Sequence, residues 1–267
     1  AKIIGRCRRN FKKGYLMAKK FIPERKTAKA PLVLYGRHAV AAALANTGRS
    51  VAKLLCTKEN AAEFQDLANN RHIPLNIVDR KEIDKLLPRE AVHQGVALVC
   101  SERPACNLED VIALADKCEK CHVLILDQVT DPQNIGAIIR SAVAFNTLAL
   151  IVQDKNAPAE TGAMAKASAG MIEHLPIARV TNLSRAIEQL KNAGFWTIGM
   201  DGYAQNTVAE MNKSGKTAII MGSEGKGMRR LVEESCDATV KLPMNEKVES
   251  LNVATAAAIV LYEINKG

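Results

Sequence analysis

The chain has 267 residues, 48% hydrophobic and 24% charged, which is enough apolar content to bury a sizeable core in one large or two modest domains. Its longest apolar stretches, near 123–126 and 256–260, fall well short of the roughly 18 residues a membrane span requires, so no membrane helix is expected. The net charge of +9 sits at one end: residues 1–30 hold eleven Lys or Arg against the one acid Glu24, a net of +10 that leaves −1 for the rest.

Such a run, poor in large apolar residues, predicts a disordered basic arm over 1–30 with a polyanion as its partner. RNA contact is preferred over a mere solubility role or a mitochondrial transit peptide, and Met17-Ala18-Lys19-Lys20 inside the arm reads like a start. From 31 to about 100 short helices and strands alternate: helix at 38–45, strand at 51–56, helix at 61–70, strand at 75–78, helix at 81–87, strand at 95–100. That pattern predicts a small α/β domain over 31–102. Ser101-Glu102-Arg103-Pro104 is polar and carries a helix breaker, so a linker and first helix are expected over 103–118 and a second domain over 119–267.

In the second domain strands are predicted at 123–127, 148–152, 196–200, 218–221 and 239–242, with helices such as 135–145 and 183–192 between them. Strands alternating with helices of that length imply a mostly parallel sheet covered on both faces. The last segment, 251–264, has the length of a helix but is apolar nearly all round, with Ala254, Ala256, Ala257 and Ala258. It needs cover on most sides, and a subunit interface is preferred over packing within one chain.

Seven cysteines at irregular spacing, with no secretory h-region before them, do not suggest a disulfide framework, and a reducing cytoplasm is expected. Cys118-Glu119-Lys120-Cys121-His122 matches a haem-attachment pattern and half a zinc site. It runs directly into a strand and no second C-x-x-C exists, so no metal site is expected.

Parallel sheets bind ligands beyond the carboxyl ends of their strands, and three such junctions stand out. The first runs from Asp127 through Pro132 to a helix opening near Asn134, with Arg140 six residues on; Asn134 alone would be a helix cap and Arg140 a solvated side chain. In the second, Met221-Gly222-Ser223-Glu224-Gly225-Lys226-Gly227, three glycines surround a carboxylate; Gly227 stands where a Walker loop needs Ser or Thr. The third runs from Leu242-Pro243-Met244 to Glu249-Ser250-Leu251-Asn252-Val253, with Ser250 or Asn252 at the entry of the last helix.

Together, Asn134-x-Gly136-Ala137-x-x-Arg140, Gly222-x-Glu224-x-x-Gly227 and Pro243-Met244 followed by Ser250-Leu251-Asn252-Val253 resemble the three ordered motifs of the SpoU (TrmH) RNA ribose 2′-O-methyltransferases. Tyr35-Gly36-Arg37-His38-Ala39-Val40 and His93-Gln94-Gly95-Val96-Ala97 resemble the substrate-binding domain of the bacterial 23S rRNA guanosine branch, so the likeness spans about 31–264.

The resemblance implies an α/β chain: a small L30e-like RNA-binding domain, then a SPOUT domain with a mostly parallel sheet and a deep trefoil knot, acting as a homodimer through that domain and the last helix. It implies S-adenosylmethionine as cofactor, held by Met221, Gly222, Gly227, Leu242, Met244, Leu251 and Asn252. Arg140 is the family's candidate activator of the ribose hydroxyl, but an arginine with a pKa above ~12 is a poor base. Arg140 is therefore expected to grip the phosphate beside the target ribose, while Asn134, Glu224, Ser250 and Asn252 position the sugar and the pocket. The expected substrate is a guanosine of 23S rRNA. A tRNA target, a non-catalytic RNA-binding relative, and a phosphoryl transferase using 222–227 stay open.

Overall fold

A computed structural model describes residues 31–104, 106–155, 157–211 and 214–266; the basic arm lies outside them. The first sheet has the order β1-β4-β2-β3, built from β1 (Leu32–Tyr35), β2 (Val51–Cys56), β3 (Leu75–Ile77) and β4 (Val96–Cys100). β4 pairs antiparallel with β1 and β2, and β2 pairs parallel with β3. All five residues of β4 are buried, because α1 (Arg37–Ala45) and α2 (Lys58–Asn70) cover one face and α3 (Arg80–Asp84) the other. β1 is not anticipated by the sequence reading: four apolar residues become a strand only because β4, far along the chain, supplies their partners.

The second sheet has seven strands in the order β7-β6-β5-β10-β8-β11-β9, every pairing parallel. These are β5 (Cys121–Leu126), β6 (Leu150–Gln153), β7 (Ile177–Val180), β8 (Phe195–Met200), β9 (Asn206–Thr207), β10 (Lys216–Met221) and β11 (Ala238–Lys241). One face is covered by α4 (Leu108–Ala115), α7 (Leu183–Asn192) and α8 (Arg230–Glu234), through Leu108, Val111, Ile187, Leu190 and Val232. The other carries α5 (Pro132–Ala144), α6 (Gly162–Ala167) and α9 (Val253–Asn265), through Ile135, Ile138, Ile139, Val260 and Leu261. Cover on both faces is why 123–126 of β5 and 218–221 of β10 read as unbroken apolar runs rather than alternating ones. The edge strands β7 and β9, and α6, escape the sequence reading; four residues, two residues and one and a half turns are too short to show a period.

The two sheets share an interface. β1 and α1 pack on α6, so closely that a Cβ on Gly162 would lie 2.5 Å from the Val33 carbonyl oxygen and one on Gly170 would lie 2.5 Å from the Ala42 Cβ. Arg49, on the small-domain side, is fully buried there. It pairs with Glu160 and, at 2.6 Å, with Glu173, and donates to the Ser101 carbonyl at 2.7 Å. Burial draws the Arg49 pKa down, but the two carboxylates outweigh it and hold the guanidinium above its ordinary value.

α9 is covered along one side only. Val253, Ala257, Val260, Leu261 and Ile264 are buried, while Ile259 and Tyr262 are 42% and 54% exposed. α5 supplies the inner cover, and Phe145 meets Tyr262 edge to face at 5.8 Å.

Candidate active site

All seven parallel strands open their carboxyl ends on one edge. From β5 the chain moves outward to β6 and β7, then crosses back to β8, and β10 later fills the gap between β5 and β8. The order therefore reverses at β5 and β10, the place where open parallel sheets leave a crevice. The first two loops singled out in the sequence leave those two strands. The third leaves β11, on the far side of β8 from β10.

In the first loop α5 begins two residues earlier than expected. Asp131 is its cap, accepting from the Gln133 N–H at 3.0 Å and the Asn134 N–H at 3.4 Å, with Pro132 in the first turn. Pro132 cannot donate and its φ is already helical, so the start falls there. Asn134 is thus not the cap, and its side chain is free for a distant partner: its Oδ1 accepts from Asn252 Nδ2 at 3.1 Å. Asn252 in turn caps α9, accepting from the Ala254 N–H at 2.9 Å and the Thr255 N–H at 3.4 Å. Of the two candidates for that entry, Asn252 holds it, and Ser250 stays exposed in the loop.

The glycine loop is a closed turn. Ser223 N–H donates to the Gly227 carbonyl and Gly227 N–H to the Ser223 carbonyl, both at 3.0 Å, and Gly225 and Gly227 take φ of +78° and +65°. Gly222 is required by the loop itself: a Cβ there would fall 2.1 Å from the Gly227 carbonyl carbon and 2.3 Å from the Met228 nitrogen. Glu224 is exposed, and Met221 is buried at the end of β10.

Leu242, Met244 and Leu251 of the third loop line one hollow of ≈ 340 Å³ with Pro243, Val208 and Tyr262. Apolar walls of that kind suit a flat heterocycle, so the residues present fit a nucleoside-type cofactor. Arg140 is exposed on α5. Among the described residues no hydrogen bond joins Arg140, Glu224 or Ser250 to another candidate, whereas Asn134 with Asn252, Gly222 with Gly227, and the three apolar residues are brought together.

Sequence reasoning misses an ion pair at the foot of the glycine loop, its acid fully buried and its arginine 37% exposed. Asp127, fully buried after β5, accepts from both the main chain and the guanidinium of Arg229 at 2.8 Å. The available signal is an acid directly after the apolar run 123–126 of an interior strand, since a carboxylate buried there needs a cationic partner.

In the small domain the two stretches resembling a substrate-binding domain meet. Gln94 Oε1 accepts from the Arg37 N–H at 3.2 Å, and Gln94 and Gly95 both turn at positive φ. Lys166 of α6 reaches this corner from the second domain, donating to the Val92 carbonyl and lying 5.8 Å from the centre of the Tyr35 ring.

Comparison with known proteins gives the same outline. Residues 122–262 match the SpoU rRNA Methylase family, and residues 33–105 match the RNA 2′-O ribose methyltransferase substrate binding domain. The chain is 40% identical over 208 residues to the TrmH family tRNA/rRNA methyltransferase YacO of Bacillus subtilis, covering 78% of this chain and 83% of that one. It is 38% identical over 235 residues to the 23S rRNA (guanosine-2′-O-)-methyltransferase RlmB of Pseudomonas syringae, covering 86% and 93%. The crystal structure of the SpoU methyltransferase AviRb from Streptomyces viridochromogenes superposes with a TM-score of 0.74 at 25% identity, over 88% and 89% of the two chains. With both domains matched in order and the three motifs gathered on one edge of a parallel sheet, the chain belongs to the SpoU family of RNA ribose methyltransferases.

Proposed function

We propose that this methyltransferase modifies the ribose of a guanosine in 23S rRNA, in the cytoplasm, with residues 31–102 holding the RNA, 103–118 connecting, and 119–267 carrying the reaction. The observation that carries the reading is the Asn134–Asn252 hydrogen bond, which joins the first and third motifs beside the loop of the second. The 38% identity to RlmB supports the guanosine target, and the name of the B. subtilis relative keeps tRNA as the second reading.

S-adenosylmethionine, when bound, supplies a sulfonium methyl group to the ribose oxygen. In this reading Gly222, Leu242 and Leu251 meet it mainly through main-chain groups, Met221 and Gly227 shape the loop around it, Met244 adds to its apolar wall, and Asn252 fixes the turn beside it. The chain's own part in the reaction is placement: methyl transfer needs the 2′-oxygen in line with the methyl carbon. Arg140, exposed and uncommitted among the described residues, takes the phosphate next to the target ribose with its planar fork. Asn134, Glu224, Ser250 and Asn252 orient the sugar.

The homodimer belongs to the same reading. Ile259, Tyr262 and Met244 leave an apolar face at the cofactor hollow, and α9 is covered on one side only, which suits a second copy seated there. The trefoil threading implied by the family is part of it too, supported by the likeness in fold to AviRb.

The test is transfer of labelled methyl from S-adenosylmethionine to unmethylated 23S rRNA, with tRNA alongside and Arg140→Ala as control. Label at one rRNA ribose, lost in the variant, is expected; label in tRNA alone moves the substrate to tRNA. No label in either, with the cofactor bound, would leave an RNA-binding relative that does not methylate.

A further inference from the structure

Asp127 closes the base of the glycine loop from both sides. Its N–H donates to the Met221 carbonyl at 2.8 Å, the last bond before the loop opens. Its carboxylate accepts from the Arg229 N–H through Oδ2 and from Arg229 Nε through Oδ1, both at 2.8 Å, just after the loop ends. The same guanidinium donates from Nη2 to Gln153 Oε1 at 2.9 Å, and Gln153 Nε2 donates to the Thr181 carbonyl at 3.1 Å. One residue thus ties the entry of residues 222–228 through its main-chain N–H and their exit through its carboxylate, and Arg229 carries the tie to the carboxyl ends of β6 and β7.

A pair of this kind is a poor device for stability alone. Desolvating a carboxylate costs several kcal/mol, and apolar residues of similar volume usually hold a core as well or better. What it supplies is geometry: a planar fork with fixed bond directions at the foot of a loop that otherwise has three glycines and few side chains to hold its shape. Main-chain groups offered by such a loop are useful only if they stay in place, since freedom in the loop must be given up on binding.

We propose that Asp127 and Arg229 are positioning residues for methyl transfer, acting as a clamp that holds the main chain of residues 222–227 in the shape that receives the methyl donor. This rests on the reading of that loop as the cofactor site. Neither residue touches the reacting atoms; both act through Gly222 and its neighbours.

The experiment uses the full chain with Arg229→Gln and Arg229→Lys, and reads three quantities: amide hydrogen exchange across 222–228 without cofactor, calorimetric affinity for S-adenosylmethionine, and KM for RNA at saturating cofactor. In Arg229→Gln the loop amides exchange about tenfold faster and cofactor affinity falls about tenfold, while KM for RNA moves less than about twofold. Arg229→Lys keeps the charge without the fork and falls between. Should Arg229→Gln not fold, Arg229→Lys against wild type gives the same comparison. A folded Arg229→Gln with wild-type exchange and wild-type cofactor affinity overturns the clamp, as does a loss shared equally by RNA and cofactor, which would mark a purely structural pair. Wild-type protein that binds no S-adenosylmethionine overturns the cofactor reading of the loop instead, and exchange in the variant then still reports whether the pair holds it.

Discussion

At the scale of single residues, burial decides which side chains are chemically available. His122, 7% exposed at the start of β5, has Nε2 3.1 Å from the Thr147 hydroxyl. Burial, helped by the charge of Lys120, pushes its pKa down to about 4 from an ordinary 6.5. Between those values the unfolded chain binds a proton that the folded one refuses, so His122 favours the folded state fully above pH 6.5 and progressively less as pH falls toward 4. The loss is about 3 kcal/mol across that window. Urea unfolding at pH 7 and pH 4.5 is expected to show it, and His122→Gln should flatten the difference; an equal acid loss in the variant would assign it elsewhere. The thiols of Cys106 and Cys236 are pushed up to about 12, with burial the largest cause, which leaves them unsuited to nucleophilic chemistry.

At the scale of elements, the glycine loop shows how a motif can be legible while its reason is not. The spacing Gly222-x-Glu224-x-x-Gly227 is readable, and it suggests a backbone passing close to a ligand. In the structure Gly222 meets a different demand, because the return limb of its own loop fills the place of a Cβ. Gly222→Ala must therefore push main chain apart rather than a flexible side chain. We expect cofactor affinity to fall at least about tenfold with the rest of the fold retained, measured by calorimetry beside circular dichroism. Near-wild-type affinity would mean the loop relaxes freely. The start of α5 makes the same point: Asp131 with Pro132 signals a helix start, yet Asn134 is an equally plausible cap by residue type, and only the Asn252 contact shows why Asn134 must not be the cap.

At the scale of the whole molecule, the arrangement of the two domains rests on a buried charge cluster. Arg49 has no exposed side-chain surface, Glu173 has 1%, and Arg103 and Glu160 have 10% each. Arg49→Ala would take from the desolvated Glu173 the guanidinium that meets both its oxygens, a loss of about 3–5 kcal/mol. Its chemical-denaturation midpoint should fall accordingly, and Arg49→Met with Glu173→Gln should recover much of it, because no charge is then stranded. Equal midpoints for Arg49→Ala and wild type would show that the domains are oriented by the close approach of chains at Gly162 and Gly170 instead.

The α/β class, the parallel second sheet, most of its strands and the three ordered motifs are legible in the chain alone, because these are local: hydrophobic periods, turn residues and short spacings need no partner to be visible. Tertiary structure alone decided what depends on residues far apart in the chain. It made β1 a strand, freed Asn134 for Asn252, buried Asp127 against Arg229 and Arg49 against Glu173, and set the loops of β5 and β10 side by side at the reversal of strand order. A side chain's burial and its partner are properties of the packed molecule, and no period in the chain encodes them.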